Sequence, residues 1–493
     1  MNILSIAAEC APFAKIGGLA DVVASLTKEW VTAGHSAFVV LPKYSTIDEN
    51  TYSLEPTDVI LSVPIASWTE YTRVWRGTLP NSSAQVYFLE NADYFDREGI
   101  YGNPSGFTDN DRRFTFLCRA ACELAIALGR PIDIVHAHDY HTALSLPFVH
   151  IHYRSFEVFR ETATVYTIHN MAFQGQSDPR RILEFAGLRP QPFRGSWFEH
   201  DGVMNLMKTG IMFADKITTV SPTYAQEIRW TNNGEGMQEY LSMRAADLIG
   251  ILNGADYSEW NPSLDATLST PYGVESLPIK SEAKRELLQN SLPENDDTPE
   301  LPLIGMVSRL TSQKGTALLE SVLEPLLLTG LLRFVVLGSG ETKTEQFLRQ
   351  IGSKYPSRAL VKIGYNNTLS HSIIAGSDFL LVPSLFEPCG LTQLYAMKYG
   401  TVPIVRATGG LRDTVHEFDP KTGVGNGFVF EHYSANDLFE TVLRAISVYN
   451  REPHWTNIRE NGMRMNYSSE RCASEYLQVF RWAADRRRLL SSQ

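Results

Sequence analysis

The apolar positions of this chain fall in short runs, many of them β-branched, that end in glycine, proline or a polar cluster. Longer stretches with helical spacing separate them. The first cycle reads as a strand over Ile3–Ala8, the loop ECAPFAKIGG, a helix over Leu19–Ala33 and a strand over Ala37–Leu41. A strand at Ala84–Glu90 follows, then a helix over Thr108–Leu128 opened by Asp109 and Asp111. Ile132–Val135 is a buried strand leading into HAHDYH, and Ala163–Ile168 is another, ending in His169 and Asn170. Asn205–Ala214 reads as a helix, Lys216–Val220 as a strand, and Ser221-Pro222 as a helix start.

The turn-rich GILNGADYSEWNP closes this half, and the acidic LPENDDTPE follows before the alternation restarts. Leu303–Val307 leads into SRLTSQKG, Phe334–Leu337 into GSGE, and Ala359–Ile363 into Gly364-Tyr365. Phe379–Val382 leads into PSLFEPCG, with a helix over Leu391–Tyr399 and a strand over Thr401–Val405. Strands alternating with helices in both halves predict an α/β protein of two doubly wound, Rossmann-like domains facing a cleft. Their boundary is expected near Gly250, giving domains over 1–250 and 251–465.

Length supports this division, because 493 residues with 43% hydrophobic content exceed one ordinary core. The net charge of −11 disfavours nucleic acid or an anionic membrane as partner, so any anionic ligand needs a local site. No apolar run approaches the roughly 20 residues of a membrane span. The N-terminus lacks the basic region of a signal peptide, so a cytoplasmic address is expected. Cys10, Cys118, Cys122, Cys389 and Cys472 are scattered, which fits reduced thiols better than disulfides or a structural zinc.

Candidate chemistry collects where strands end. In PSLFEPCG, Glu387 lies between apolar neighbours just before a helix, where the amides of Gly390–Gln393 suit an anion. Two readings stand: a ligand-binding carboxylate beside an anion site, or a helix cap. In the first loop, Lys15 precedes Gly17 and Gly18, placing a cation and bare amides at a helix start. This suits phosphate, although a plain turn has the same composition, and the loop matches neither GxGxxG nor the P-loop. Asp21 falls in the first helical turn, where the dipole favours it. His136, His138 and His141 with Asp139 resemble metal ligands, but they follow no zinc spacing. A hydroxylated substrate is the better match for polar groups at a strand end, with core or turn histidines as the alternative. Arg309 and Lys314, just past a strand end, suit two phosphates; solvated surface charges are the other reading.

Taken together, AAECAPFAKIGGLADV, YGNPSGFTDNDRRF, DIVHAHDYH, VYTIHNMAFQG, ADKITTVSPTYAQEI, GILNGADYSEWNP, MVSRLTSQKG, IGYNN and PSLFEPCGLTQLYAMKYGTVPIVRATGGLRDTV resemble, in family order, the bacterial glycogen synthases and plant starch synthases. The resemblance covers nearly the whole chain. It implies a GT-B glycosyltransferase fold in which residues 466–493 return to the first domain. It also implies transfer of glucose from ADP-glucose to the non-reducing 4-hydroxyl of an α-1,4-glucan, with retention of configuration. By the same resemblance, Lys15, Gly17, Gly18, Arg309 and Lys314 hold the donor diphosphate with amides around Cys389, Gly390, Leu391 and Thr392. Tyr365 stacks on the base, His169 and Glu387 contact the donor glucose, and Asp139, Asn170 and Asn253 lie nearby. Asp21 and Asn170 are candidates on the acceptor side. Neither metal nor cofactor is called for, since the nucleotide sugar is a substrate. The chain departs from the family at Ile16, Tyr140 and Leu385. The last lacks a charge common among relatives and keeps open a weakly active glucan-binding relative or a UDP-glucose enzyme. Retention of Lys15, His169, Arg309, Lys314 and Glu387 together speaks against the weak relative.

Overall fold

A computed structural model describes residues 1–102, 106–290 and 301–491. Part of YGNPSGFTDNDRRF and the whole of LPENDDTPE lie outside the described residues. The chain divides into two compact units, Met1–Gly254 with Ser469–Gln493, and Ala255–Ser468.

The first unit is built on a nine-stranded sheet. Its strands run in the spatial order Leu248–Gly250, Lys216–Thr219, Ala163–Ile168, Ile134–His138, Asn2–Ile6, Ser36–Pro42, Gln85–Glu90, Trp68–Thr78 and Glu55–Ile65. Pairing is parallel from Leu248–Gly250 through Gln85–Glu90. Among them, Asn2–Ile6 and Ala163–Ile168 are buried on both faces, which is why they read as continuous apolar runs.

The last two strands form an antiparallel hairpin that the sequence reading does not contain. Glu55–Ile65 carries two prolines and polar residues, is buried only at alternate positions toward its end, and is paired with a register shift between Pro56 and Ile60. Such features blunt an edge strand and also erase its signature.

The C-terminal helix Ser469–Ser491 belongs to this unit. Cys472, Tyr476 and Phe480 share a core with Ile3, Val22, Leu26 and Trp30, and the Trp30 indole donates to the Ala473 carbonyl at 3.2 Å. Its basic end is not simply solvated, because Arg486 pairs with Asp247 at 2.6 Å. No described helix is long and apolar enough to cross a membrane.

The second unit carries a six-stranded parallel sheet in the order Ala359–Ile363, Arg333–Gly338, Leu303–Val307, Phe379–Val382, Val402–Arg406 and Phe428–Phe430. In each sheet the strand order reverses beside the first strand of the unit. Asn2–Ile6 lies between Ser36–Pro42 and Ile134–His138, and Leu303–Val307 lies between Arg333–Gly338 and Phe379–Val382. Loops leaving such strands in opposite directions open a crevice at their carboxyl ends, where open α/β sheets take ligands. Both crevices carry the residues singled out above.

Candidate active site

In the first unit the loop after Asn2–Ile6 is closed from within. Glu9 is buried, and its Oε2 accepts the amides of Ile16 at 2.6 Å and Gly17 at 3.0 Å. Its Oε1 accepts the Tyr101 hydroxyl at 2.5 Å. Burial raises the Glu9 pKa, and these three hydrogen bonds oppose the rise. The bare amides expected at Gly17 are therefore not bare, because a carboxylate of the chain already satisfies this one. Gly17 is the extended residue before the helix Gly18–Thr32, so Gly18 is that helix's first residue. Lys15 pairs with Asp21 at 2.7 Å, which makes Asp21 an ion-pair partner as well as a dipole-favoured residue. Glu9 is absent from the sequence reading; its one signal is that it is the single charge in ILSIAAECAPF.

The histidines do not converge on one point. His136 and His138 lie within the strand Ile134–His138 rather than beyond it, and both are buried. His136 Nε2 meets Thr167 Oγ1 at 2.6 Å. His138 meets Ser5 Oγ through Nε2 at 3.1 Å and His169 Nε2 through Nδ1 at 3.0 Å. His141 stacks on Tyr101 with ring centroids 4.7 Å apart. Among the described residues, no group of three or more His, Cys, Asp or Glu side chains is placed to hold a metal ion. Burial lowers the pKa of His136, His141 and His169 to about 3, so these rings are neutral at pH 7.

Asp139 follows the strand with φ of +54°, a left-handed conformation uncommon for a residue with a side chain. Its carboxylate accepts the amides of His169 at 2.7 Å and Asn170 at 3.4 Å. Burial pushes its pKa up to about 7 against those two hydrogen bonds. Asn170 Oδ1 accepts the Ala172 amide at 3.1 Å. Asn253 is buried, and its Oδ1 has no hydrogen-bond partner among the described residues.

The second crevice is built on charge. Lys314 Nζ meets Glu387 Oε2 at 2.6 Å, and Ser384 Oγ donates to the same oxygen at 2.8 Å. The side chains are 20% and 7% exposed, so this ammonium is not a solvated surface charge. The capping reading of Glu387 also fails. The following helix is Thr392–Lys398, Leu391 precedes it without a side-chain cap, and the carboxylate faces Lys314.

Close backbone approach holds the pair together. Leu385 donates its amide to the Gln313 carbonyl at 2.9 Å. Gly315 has φ of +78°, and a Cβ there would lie 2.1 Å from the Pro383 carbonyl oxygen, so only glycine fits after Lys314. Arg406 donates from Nε to the Ser384 carbonyl at 2.8 Å and from its guanidinium to the Leu385 carbonyl. A guanidinium thus lies against the backbone of Ser384 and Leu385, and the sequence reading did not single it out. Leu385 itself is 41% exposed. Cys389 is buried, its carbonyl accepting Gln393 Nε2 at 3.2 Å, and Gly390 is left-handed at φ of +78°. Arg309 is exposed and has no side-chain partner among the described residues. Tyr365 is 77% exposed, which leaves its ring face open.

Comparison with known proteins places the chain in a family. A family model described as starch synthase catalytic domain matches residues 2–243, and one described as glycosyl transferases group 1 matches residues 289–464. Glycogen synthase 1 of Geobacter metallireducens is 42% identical over 97% of this chain and 95% of its own. Glycogen synthase of Pseudothermotoga lettingae is 41% identical over 98% and 99%. The catalytic domain of starch synthase IV from Arabidopsis thaliana, solved bound to ADP and acarbose, superposes with a TM-score of 0.90 at 33% identity, covering 98% of this chain and 99% of that one.

Proposed function

This chain belongs to the glycogen synthase and starch synthase family, and we propose that it transfers glucose from ADP-glucose to the non-reducing 4-hydroxyl of an α-1,4-glucan with retention of configuration. The observation that carries the reading is the Glu387–Lys314 pair at the switch point of the second sheet, in a chain that matches glycogen synthases nearly end to end. ADP in the starch synthase with the same fold supports an adenine nucleotide as the leaving group.

In the proposed reaction the bond from the glucose C1 to the diphosphate breaks and a bond from C1 to the acceptor O4 forms. The acceptor attacks from the face that ADP leaves, and its proton passes to a phosphate oxygen, so no protein base is required. Negative charge grows on the diphosphate and positive charge on C1. Arg309, Lys314 and Lys15 stabilise the first as fixed cations, with the amides from Gly390 through Thr392. An ammonium has three donors. Lys314 therefore holds Glu387 with one and keeps others for a phosphate oxygen. Glu387 accepts from the glucose hydroxyls and lies near the carbon that becomes positive, while His169 contacts the same sugar. Tyr365 offers its open face to the base.

An assay of glucose incorporation into glycogen from ADP-glucose and from UDP-glucose tests the reading, with the ADP-sugar expected to be preferred. Preference for UDP-glucose overturns the donor assignment, and no transfer from either overturns the activity. Cationic side chains stand where other transferases use a divalent ion, so a chelator should leave the rate unchanged. Activity lost to chelator and restored by magnesium contradicts that role for Arg309 and Lys314.

A further inference from the structure

Three neighbouring parallel strands bring a line of polar side chains into the interior of the first unit. Ser5 lies on Asn2–Ile6, His138 ends Ile134–His138, and His169 follows Ala163–Ile168. Ser5 Oγ is 3.1 Å from His138 Nε2, and His138 Nδ1 is 3.0 Å from His169 Nε2. Ser5 and His138 are each 1% exposed and His169 is 9% exposed, so water does not compete along the line.

Burial comes first among the causes that hold His138 well below its ordinary pKa, and the neighbouring His136 and His169 add to it. With both imidazoles neutral, a nitrogen-to-nitrogen contact at hydrogen-bond distance has one donor and one acceptor, and only two assignments exist. In the first, the Ser5 hydroxyl donates to His138 Nε2, and His138 Nδ1–H donates to His169 Nε2. In the second, His169 Nε2–H donates to His138 Nδ1, and His138 Nε2–H donates to Ser5. The second leaves the Ser5 hydroxyl proton unpaired, because His138 is the one partner of that hydroxyl, side chain or backbone, among the described residues. An unpaired buried donor is costly, so the first assignment wins.

We infer that His138 is a positioning residue that fixes His169 as the tautomer protonated on Nδ1, so that the ring offers ligand an N–H donor rather than a bare nitrogen. The backbone of His169 is held independently by Asp139 through its amide. Ring and backbone are thus fixed by the consecutive residues His138 and Asp139, and Nδ1 has no partner among the described residues. A donor there suits a hydroxyl oxygen of a sugar or an oxygen of a phosphate, and rejects a group that can only donate. The catalytic consequence rests on the reading of His169 as a contact of the donor glucose; the tautomer does not.

Selective nitrogen-15 labelling of histidine tests the tautomer directly, with the His169 signal identified by its loss in His169→Ala. In the wild-type chain, its Nε2 should be the bare nitrogen, coupled to both ring protons. His138→Asn keeps an N–H at the place of Nδ1 and should preserve that pattern. His138→Phe removes it, and Ser5→Ala removes the hydroxyl that orients it; both should give a mixture of tautomers. Turnover should fall about tenfold in His138→Phe and recover to within about threefold of wild type in His138→Asn, with KM for the donor little changed. A wild-type His169 protonated on Nε2, or a pattern unmoved in both His138→Phe and Ser5→Ala, overturns the inference. If the tautomers scramble as stated but turnover is unchanged even in His169→Ala, the tautomer assignment stands and the catalytic role of His169 is what fails.

Discussion

The parallel parts of the two sheets follow the same strand order, each reversing beside its own first strand, yet their crevices are furnished by opposite means. The first is lined by buried groups paired with the chain itself: Glu9 on the Ile16 and Gly17 amides, Asp139 on the His169 amide, and His138 on the His169 ring. The second holds a salt bridge between Lys314 and Glu387, an exposed guanidinium at Arg309 and an exposed ring at Tyr365. Hydrogen bonds within the chain fix position, whereas charges with spare donors or open faces interact with something that arrives. Apart from Lys15 with its Asp21 partner, the first crevice is accordingly assigned to orientation and the second to stabilising charge. Substitutions should lower turnover most in the second, while those in the first should act through order and pH.

The largest effect is expected at Glu387. Glu387→Gln keeps shape and an acceptor for Ser384, and it leaves a lysine that is still partly hydrated. Turnover should fall by about 10²-fold or more, with ADP affinity nearly unchanged, because the lost charge acts on the transition state. Lost ADP affinity with normal turnover would move Glu387 out of the chemistry. Next come Arg309→Ala and Lys314→Ala, each expected to lower turnover about 10²-fold. Thermal unfolding separates them. Arg309 is exposed and should leave the melting point unmoved, whereas Lys314→Ala strands the buried Glu387 carboxylate and should cost about 1–3 kcal/mol. Equal melting points for the two variants would erase the distinction drawn between these cations.

A smaller effect is expected at Glu9, where the two accounts of the first loop part. If Glu9 holds the loop, Glu9→Ala leaves two amides and the Tyr101 hydroxyl without their partner. It should then cost about 1–3 kcal/mol of stability and weaken donor binding, while Glu9→Gln should recover much of both. Tighter ADP binding in Glu9→Ala would instead return the Gly17 amide to a phosphate.

Much of this division was legible in the chain, for physical reasons that differ by region. Strands buried on both faces write their burial as unbroken apolar runs, so Ala163–Ile168 and Phe379–Val382 stand out. The Glu55–Ile65 hairpin faces solvent on one side and carries edge-strand prolines, and it leaves no such mark. Lys314 and Glu387 were each visible as a charge beside a strand end, but they meet across 73 positions, a pairing that no local spacing encodes. Glu9 and Tyr101 meet across 92 positions. The glycine pair after Lys15 therefore advertised free amides, while the group that takes one of them lay in a strand-like apolar run. His138 read as a strand-end histidine because the strand was expected to stop at Val135, and it runs on to His138. That shift turns a solvent-side group into a buried one, and it is why the link to His169 had to come from the fold.

The last comparison is set by pH and concerns Asp139, whose folded pKa is raised from 3.8 to about 7 by burial. A raised carboxyl pKa means that the folded state binds the proton more tightly than the unfolded chain. The stability this group contributes is then full below 3.8 and is lost as pH rises through about 7. His136 and His169, lowered from 6.5 to about 3, act in the opposite sense. Their stability is present above 6.5 and lost as pH falls. The whole-protein profile therefore mixes the two signs, and a variant is needed to isolate one. Asp139→Asn keeps an acceptor for the His169 amide and removes the titration. The stability of wild type relative to this variant should decline from pH 4 to pH 7.5, with a slope no steeper than about 1.4 kcal/mol per pH unit, the limit for a single proton. Denaturant unfolding of both proteins at matched pH values measures it. A difference that rises with pH would mean that the amides of His169 and Asn170 outweigh burial, so that Asp139 is an anion at neutral pH. The first crevice would then carry a buried negative charge at Asp139, and the contrast with the second would narrow to one of exposure.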